Sequence, residues 1–294
     1  MSKTQHAGEY KLQECKIISS RGVIARLDDK VIGFQIYENL FSQSLIASMS
    51  IIDNVNMVMK LPIIGQEFIS LRIENPGLGE LDFTQNVFAV TNVKVRQDIS
   101  NDTQIYDLSL VSVEALKNAR SRVSKSYHGA ISSIITEVLR DERYIDTNKD
   151  IYVDKTSGSR KFISPNLRPF SFIRNLTREA TSEKFDGSPH YFFYENCNGF
   201  QFRCLDGLYK RAPTGTFVAD TESIKNDANK SPSSDLEKDY RRVLQFSVSR
   251  TNDTLITTMG GMLGSNLIKY NIFHKNYQNF RLNYFENFNR FARI

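Results

Sequence analysis

The sequence has no tryptophan, only three cysteines and no long apolar run. Cys15, Cys197 and Cys204 are too few for the framework of disulfides that stabilises many small secreted domains. Residues 1–9 lack the apolar segment of a signal peptide, and no run of about 18 apolar residues could cross a bilayer as a helix. We therefore expect a chain that has no membrane span and is made in the cytoplasm.

Signatures of catalysis and of metal binding are missing as well. His190 lies near Asp186 and Ser188 in the sequence, but the Gly-x-Ser-x-Gly elbow of many hydrolases does not accompany them. Cysteine and histidine do not cluster at zinc-ligand spacing, and no paired carboxylates have a spacing suited to acid–base catalysis. The sequence therefore predicts no catalytic residue, no metal-binding residue and no cofactor, with His190 a polar residue at a strand start.

Two stretches imitate ligand-binding loops. Asp146–Asp150 has acidic or amide residues at alternate positions, as a calcium loop does, but Ile151 replaces the required glycine and Ser157 the required glutamate. Residues 260–264 are rich in glycine but lack the Lys-Ser/Thr of a phosphate-binding loop. We predict a solvated turn for the first stretch, and a helix cap followed by a strand bulge for the second.

The composition and charge describe an ordinary folded chain. Hydrophobic residues make up 40% and charged residues 24% of the 294 residues, which is typical of globular proteins. This length predicts about two domains, at about 150 residues each. The net charge of +5 is compatible with a nucleic acid passing nearby but does not require one.

The first third of the chain alternates apolar and polar residues, which is typical of strands with one buried face. The predicted strands are Lys11–Ile18, Val31–Tyr37, Leu45–Asp53, Glu67–Glu74, Asn86–Gln97 and Gln104–Val113. A short helical turn is predicted at Val55–Lys60, and a polar hairpin loop at Gln97–Thr103. Several antiparallel strands without a βαβ rhythm predict a small closed barrel over residues 10–122, after an N-terminal tail at 1–9.

Residues 123–208 change in character and predict a small α/β domain. Apolar residues at helical spacing predict a helix over His128–Arg140. Ile151–Val153 is a short strand, and Pro169 suits the start of a second helix that runs through Thr181. Pro189–Asp206 predicts a hairpin with a type I′ turn at Asn198-Gly199. In that register Cys197 and Cys204 do not face each other, so a disulfide between them is not expected.

The last part begins with a polar excursion at residues 209–240. Val243–Ser249 predicts a strand, Asp253 caps a short helix to Met259, and Met262–Lys275 predicts a long strand. This order resembles that of residues 45–74, so residues 241–294 are predicted to start a second barrel. Either other segments complete that barrel or the natural chain continues past Ile294. The predicted fold class is α+β, mainly β: an antiparallel barrel, an inserted α/β domain and the start of another barrel.

Two groups of residues could form a binding surface. Lys117, Arg120, Arg122 and Lys125 are a basic run that either faces a polyanion or lies on a solvated loop. Aromatic residues recur from Tyr270 to Phe291 among arginines, as on a surface for single-stranded nucleic acid. Their spacing drifts between strand and helix periods, so we interpret them as core and interface residues.

Short motifs also occur in order over residues 10–275. They are Ser42–Leu45, Leu61–Glu67, Ser112–Asn118, Val123–Gly129, Pro165–Phe170, Tyr191–Asn196, Gly199–Phe202 and Gly261–Ile268. Through these motifs the sequence resembles the baseplate hub proteins of large contractile-tailed bacteriophages. Each motif alone is weak, but their shared order makes chance similarity a poor explanation.

The resemblance implies a tandem of two tail-tube-type barrels with extra domains inserted. It implies a homotrimeric ring whose six barrels imitate one hexameric layer of the tail tube. This ring would join the tail tube protein to a trimeric cell-puncturing spike protein and contact baseplate wedge or sheath-initiator proteins. The tape-measure protein and genomic DNA would pass through its lumen. The protein would lie in the tail baseplate of the virion, after synthesis in the host cytoplasm.

The resemblance carries over no catalytic residue, because the hub family is structural. It leaves Lys117, Arg120, Arg122 and Lys125 as possible channel or subunit-interface charges. Three alternatives stay open from the sequence. The chain could be the hub of a related contractile injection or secretion spike, a tail-associated peptidoglycan hydrolase with its site in residues 127–208, or a nucleic-acid-binding protein.

Overall fold

The computed structural model describes residues 10–54, 63, 65–75, 79–100, 103–185, 187–213, 215–219, 241–243, 247 and 253–288, with only the backbone for residues 95–100. The predicted helical turn Val55–Lys60, the tip of the loop Gln97–Thr103, and most of both the 209–240 excursion and the strand Val243–Ser249 lie outside these residues. The chain divides into two units, Met1–Arg242 and Val243–Ile294. No described helix is long and apolar enough to cross a membrane.

Eight strands form one antiparallel sheet in the first unit. They are β1 (Lys11–Ile18), β2 (Ile24–Arg26), β3 (Val31–Tyr37), β4 (Ile46–Asp53), β5 (Phe68–Asn75), β6 (Gly79–Asp82), β7 (Phe88–Ser100) and β8 (Thr103–Ser112). Their order is β2-β1-β5-β7-β8-β4-β3, and β6 pairs with β5. The strands at the two ends of this path, β2 and β3, are consecutive in the chain and only Leu27–Lys30 separates them. This short connection brings the two ends of the sheet path near each other, as in the predicted barrel, and we call this sheet the barrel.

The barrel core follows from the alternation of the strand residues. Met49 of β4 lies opposite Leu108 of β8, and Ile51 lies opposite Tyr106. All four side chains are buried, while the residues between them point to the other face of the sheet. Leu27, in the connection between β2 and β3, is also fully buried. Burying each such side chain contributes about 1.5–3 kcal/mol, which favours this register over one shifted by a residue.

The rest of the first unit is an α/β module with its own core. Helix α1 (Val113–Arg120) follows β8 and contacts the barrel strands β7 and β8, whereas the helices of the module are α2 (Ile131–Arg140), α3 (Pro169–Thr177) and α4 (Leu205–Tyr209). Its strands are β9 (Ser126–Gly129), β10 (Ile151–Val153), β11 (Arg160–Ile163), β12 (Tyr191–Asn196) and β13 (Gly199–Cys204). β13 lies between β12, which is antiparallel to it, and β10, which is parallel to it. β9 pairs with β11, and the short strands β14 (Val218–Ala219) and β15 (Arg242–Val243) pair with each other.

Two predicted helix boundaries in this module are wrong. The helix predicted from His128 begins at Ile131, because His128 belongs to β9 and lies opposite Lys161 of β11. A partner strand about thirty residues later thus outweighs the local helical spacing. The helix predicted to run through Thr181 starts at Pro169 as expected, but it ends at Thr177.

The hairpin β12–β13 forms as predicted, but the proposed type I′ turn at Asn198-Gly199 is wrong. Asn196 lies opposite Gly199, so the two turn residues are Cys197 and Asn198. Gly199 is the first residue of β13 and has φ +122°. A Cβ atom there would lie 2.3 Å from the carbonyl oxygen of Asp150. Glycine is therefore needed for the close approach of β10, rather than for the turn.

The described part of the second unit contains α5 (Thr254–Met259), the hairpin of β16 (Gly264–Asn271) and β17 (Asn276–Asn283), and α6 (Tyr284–Asn287). Asp253 caps α5 as predicted, since its Oδ1 accepts a hydrogen bond from the amide of Ile256 at 3.0 Å. The long strand predicted for Met262–Lys275 is wrong at its end. The chain leaves β16 after Asn271 and turns with Lys275 at φ +49°.

The described aromatic residues of this second unit do not form a core. Every residue of β16 and β17 is exposed, and Phe273 at the turn is 94% exposed. The physical reason is that a two-stranded hairpin has two open faces unless another layer covers them. The core interpretation of this aromatic series is wrong for the described residues, and the interface interpretation stays a prediction. The assignment of this unit to a second barrel also stays a prediction.

The fold class is α+β and mainly β, with antiparallel sheets, as the sequence predicts. The two hydrophobic cores of the first unit lie on either side of the segment from Ser112 to Val123. One is made of barrel residues from Cys15 to Leu110. The other is made of module residues from Val123 to Cys204. The contact between these two parts is where we place the candidate site.

Candidate functional site

A buried group of polar residues joins the barrel to the α/β module. Strand β8 passes directly into α1, so Ser112 ends the barrel sheet and Glu114 lies in the first turn of the helix. The starts of β4 and α1, the segment before β10, and β12 meet at this point. We call the following residues the junction cluster: Leu45, Ser112, Glu114, Thr147, Lys149 and Glu195.

Lys149 is the centre of the junction cluster. Its Nζ lies 2.6 Å from Oε2 of Glu114 and 2.6 Å from Oε1 of Glu195. The side chains of Lys149 and Glu114 are 7% and 8% exposed, and that of Glu195 is fully buried. At such depth a charge is tolerated only when it is paired and hydrogen-bonded.

Uncharged donors from the barrel and the module complete the cluster. The second oxygen of Glu195, Oε2, accepts hydrogen bonds from the Leu45 amide at 2.8 Å and from Ser112 Oγ at 2.6 Å. Thr147 Oγ1 donates to Oε1 of Glu114 at 2.8 Å. All four carboxylate oxygens thus have a partner. Glu195 links the two parts directly, because it lies in the module and its Oε2 binds barrel residues.

The electrostatics of the cluster follow from burial and from an excess of carboxylates. Burial alone would lower the pKa of Lys149, but the charges and hydrogen bonds of Glu195 and Glu114 outweigh it, and the pKa of Lys149 is raised. Burial raises the pKa of Glu195, against the opposing effects of Lys149 and Ser112. Lys149 is therefore charged at neutral pH and holds two carboxylates that would otherwise repel each other.

Further contacts fasten the module at the same place. Asn118 of α1 accepts a hydrogen bond from the amide of Phe170 through Oδ1 at 2.8 Å, which holds the start of α3. Val123 and Leu167 exchange two backbone hydrogen bonds of 2.7 and 3.2 Å. These contacts satisfy backbone groups that would be costly to bury unpaired. The orientation of α3 is thereby tied to the segment that leaves the barrel.

The hairpin β12–β13 also reaches the barrel outside the junction cluster. The amide of Cys197 donates to Oε1 of Glu38 at 2.6 Å. The rings of Phe41 and Phe192 meet edge to face, with 5.7 Å between their centroids. The barrel and the module are therefore connected by charged, backbone and aromatic contacts rather than by a single linker.

The four basic residues singled out from the sequence lie beside this junction but bind different partners. Lys117 Nζ lies 3.2 Å from Oδ2 of Asp146. Lys125 Nζ lies 2.5 Å from Oε1 of Glu137, and 5.1 Å from the centroid of the Tyr127 ring. Arg120 and Arg122 are exposed. Their assignment as channel or interface charges stays a prediction for all four.

The hydrolase-like group does not assemble among the described residues. His190 is exposed, and its backbone carbonyl accepts a hydrogen bond from Leu205. Ser188 Oγ is buried and has no hydrogen-bond partner in the described part of the chain. Asp186 lies outside the described residues. Within the described ranges, no group of three or more His, Cys, Asp or Glu side chains could hold a metal ion.

The solvated turn predicted for Asp146–Asp150 is confirmed for three of its residues and wrong for the other two. Asp146, Asn148 and Asp150 are exposed, whereas Thr147 and Lys149 between them are buried in the junction cluster. The alternate spacing that imitates a calcium loop thus places its polar positions outward and Lys149 inward. Sequence reasoning missed Lys149, and this alternation was the one available signal for it.

The comparisons with known proteins concern the fold. No model of a protein family matches the chain, and no curated protein matches it. Among solved structures, it is similar to the tail protein from Neisseria meningitidis (TM-score 0.46, 8% identity, 73% of this chain and 56% of that one). It is also similar to the 43 kDa tail protein of prophage MuSo2 from Shewanella oneidensis (TM-score 0.43, 10% identity, 70% and 57%).

A third similar structure is the c3393 protein of E. coli, described as a component of the type VI secretion system (TM-score 0.43, 14% identity, 72% of this chain and 52% of that one). The chain thus spans about half the length of these structures. Two of the three are tail proteins, and the third is a component of a secretion system.

Proposed function

We propose that this chain is a structural protein of the virion and serves as the central hub adaptor of a contractile-tail baseplate. The observation that supports this most is the spatial meeting of the motifs that carry the resemblance. Leu45, Ser112 and Glu195 belong to three of those motifs, and all three bind one another in the junction cluster. Motifs that are weak singly gain weight when their polar residues complete one buried structure.

The chemistry of the junction suits a mechanical role. Each ionised or hydroxyl group of the cluster has a hydrogen-bond or ion-pair partner within it, so none of these groups is free to act as a nucleophile or as a metal ligand. A buried ion pair often contributes little net stability, and we propose that this one serves mainly to fix the geometry of the junction. A hub that transmits force between a tube and a spike needs its domains held at a fixed angle. We therefore propose a non-enzymatic protein.

The exposed hairpin of the second unit supports a role in assembly. Large apolar side chains are exposed along both strands and their turn, among them Leu267, Ile268, Phe273 and Tyr277. Soluble monomers rarely expose so many neighbouring apolar side chains, and such surfaces usually belong to interfaces. In the proposed hub this surface contacts another subunit of a homotrimer.

The proposed partners follow from the hub role. Three copies form a ring that presents a pseudo-sixfold face to the tail tube protein and a threefold face to the spike protein. Wedge or sheath-initiator proteins surround it, and the tape-measure protein and DNA pass through it. Arg120 and Arg122 are the exposed members of the basic run, and we propose them as interface or channel charges together with Lys117 and Lys125.

The experiment that tests this proposal is a direct view of the assembly. The purified protein is analysed by mass photometry and by negative-stain electron microscopy, alone and with the tail tube protein. We expect threefold particles with a central channel that stack on the tube. Monomers under all conditions, without any ring in the presence of the tube protein, would contradict the proposal.

A further inference from the structure

The α/β module contains a pocket that the junction does not use. It has a volume of about 530 Å³ and is lined by three segments: Val153–Lys155 around the end of β10, Ser182–Phe185, and Gly207, Lys210 and Arg211 in and after α4. We call it the basic pocket. Its size falls in the range of about 300–1,000 Å³ that is usual for sites of small ligands or single side chains.

The walls of the basic pocket are held in place by hydrogen bonds. The buried Ser182 accepts hydrogen bonds at Oγ from the amides of Lys184 and Phe185, at 3.2 and 3.1 Å. The backbone carbonyl of Lys155 accepts the hydroxyl of Tyr191 at 2.9 Å. Because the backbone is fixed on two sides, a ligand would meet a site that is largely formed before binding.

The charges around the pocket are unbalanced. Four cationic side chains line it, those of Lys155, Lys184, Lys210 and Arg211. Within the part of the chain that the structure describes, none of the four forms an ion pair. The pocket therefore presents several cations whose charge a ligand could neutralise.

Two carboxylates line the pocket, but one of them is already used. Oδ1 of Asp154 accepts a hydrogen bond from Arg203 at 2.9 Å, and its Oδ2 accepts the amide of Cys204 at 3.0 Å. Among the described residues that line the pocket, Glu183 is the remaining carboxylate, and it is exposed and competes with an incoming anion. Four cations thus face one unpaired carboxylate, which leaves a clear positive excess.

The ring of Phe185, which we call the floor of the pocket, indicates which class of anion the pocket can bind. Lys184 Nζ and Lys210 Nζ lie over the Phe185 ring, at 5.6 and 4.9 Å from its centroid. These ammonium groups occupy the surface on which a nucleobase would stack. A Cβ atom on Gly207 would lie 3.0 Å from the Phe185 ring, so α4 packs closely on the floor. What remains is a compact hollow with apolar walls and a cationic rim.

We propose that the basic pocket binds an acidic peptide segment of a partner protein. The carboxylates of that segment would bind Lys155, Lys184, Lys210 and Arg211. The aliphatic parts of the segment's acidic side chains would lie against Val153 and Phe185. A nucleic acid would instead need a longer cationic groove that follows its backbone. The assignment adds a partner site on the module and does not depend on the trimeric ring.

The test uses the full chain and a fluorescently labelled hexaglutamate peptide, with binding followed by anisotropy at low and moderate salt. We expect saturable binding that weakens about tenfold or more in the double variant Lys184→Gln/Lys210→Gln, because two charge-assisted contacts are lost. The control variant Lys161→Gln/Arg174→Gln removes the same charge from exposed positions outside the pocket. It should weaken binding far less.

A second variant tests whether a negative charge at the rim of the pocket opposes peptide binding. Glu183→Gln removes the one unpaired carboxylate at the rim, so it should strengthen peptide binding by about twofold or more. No binding by the native chain, or equal losses in the pocket and control variants, would overturn the proposal. So would a hexathymidylate oligonucleotide or inorganic pyrophosphate that displaces the peptide at lower concentration than unlabelled hexaglutamate does. Ring formation is measured separately, so failure here leaves the hub proposal untouched.

Discussion

The backbone amide of Leu45 lies 2.8 Å from the carboxylate of Glu195, 150 positions later in the chain. Leu45 precedes a barrel strand and Glu195 lies in the hairpin of the α/β module. The same carboxylate binds Ser112 and Lys149. A single buried side chain thus fixes the start of β4, the end of β8 and the segment before β10. The orientation of the module on the barrel depends on this carboxylate keeping its charge and its partners.

Replacing Lys149 by methionine should destabilise the first unit by about 3–5 kcal/mol, because two buried carboxylates lose their common cation. The pKa of Glu195, already raised by burial, should then rise further. A raised folded-state pKa contributes stability below the unfolded pKa, and this stability is lost as the pH rises through the folded pKa. In urea unfolding, the loss of unfolding free energy caused by Lys149→Met should therefore be smaller at pH 5 than at pH 8.

The double variant Lys149→Met/Glu114→Gln is the control for this prediction. It removes one of the two carboxylates that repel each other, so it should be more stable than Lys149→Met alone, with a coupling of about 0.5–3 kcal/mol. Lys161→Met, at an exposed position, should change stability by less than about 0.5 kcal/mol. If Lys149→Met lowers the free energy of unfolding equally at pH 5 and pH 8, the charges of the cluster do not have the role described.

Gly199→Ala should destabilise the module by more than about 3 kcal/mol. The new Cβ would lie 2.3 Å from the Asp150 carbonyl oxygen, at a φ of +122° that only glycine adopts readily. The matched control is Gly158→Ala, which also has positive φ but no atom within 4 Å of the new Cβ. It should cost only about 1–2 kcal/mol. Equal losses in urea unfolding would show that the contact with Asp150 does not matter.

The strands were predictable where one local pattern decided them. β1, β3 and β10 have the predicted limits, because alternating residues with one buried face specify a strand without reference to its partner. The turn of the β12–β13 hairpin was displaced by one residue, since the conformation of Gly199 serves a contact with Asp150 on another strand. The sequence neighbourhood of Gly199 contains no sign of that contact.

The junction cluster was also harder to predict from the sequence, because its residues are far apart in the chain. Glu114 and Glu195 appear in the motifs, but their common partner Lys149 is separated from them by 35 and 46 positions. A lysine in a polar turn is ordinarily exposed, and only the fold shows that this one is enclosed. The basic run beside it was easier to notice in the sequence, although two of its members pair with carboxylates of the module.

The three cysteines should react slowly in the native protein, Cys204 because its side chain is fully buried, and Cys15 and Cys197 because the pKa of each thiol is raised. Burial, and then the nearby Asp28, raises the pKa of Cys15 to about 12. Burial, and then the hydrogen bond and charge of Glu38, raises the pKa of Cys197 to about 12. The thiolate fraction at pH 8 is then about a thousandfold below that of an ordinary thiol. Mass spectrometry should find little alkylation by iodoacetamide at pH 8 until urea is added, when three sites react.

The effect of the Glu38 charge on the pKa of Cys197 can be measured separately from the effect of burial. Glu38→Gln keeps an oxygen that can accept the Cys197 amide but removes the negative charge, so the pKa of Cys197 should fall and its alkylation should become faster. Cys15, far from Glu38 in sequence and buried among the barrel residues, serves as the internal reference. Faster labelling of Cys15 as well would indicate a general loosening of the fold and would contradict a charge effect.

The exposed turn of the β16–β17 hairpin should be needed for assembly but not for folding. Phe273 and Tyr277 are 94% and 70% exposed, so replacing both by serine should change the free energy of unfolding by less than about 0.5 kcal/mol. In the proposed hub, the same change removes apolar contacts from a subunit interface and should shift rings toward monomers in mass photometry. His274→Ser, an exposed polar change in the same turn, is the matched control. If rings of the double variant persist at the concentrations at which the native rings form, this hairpin is not the interface.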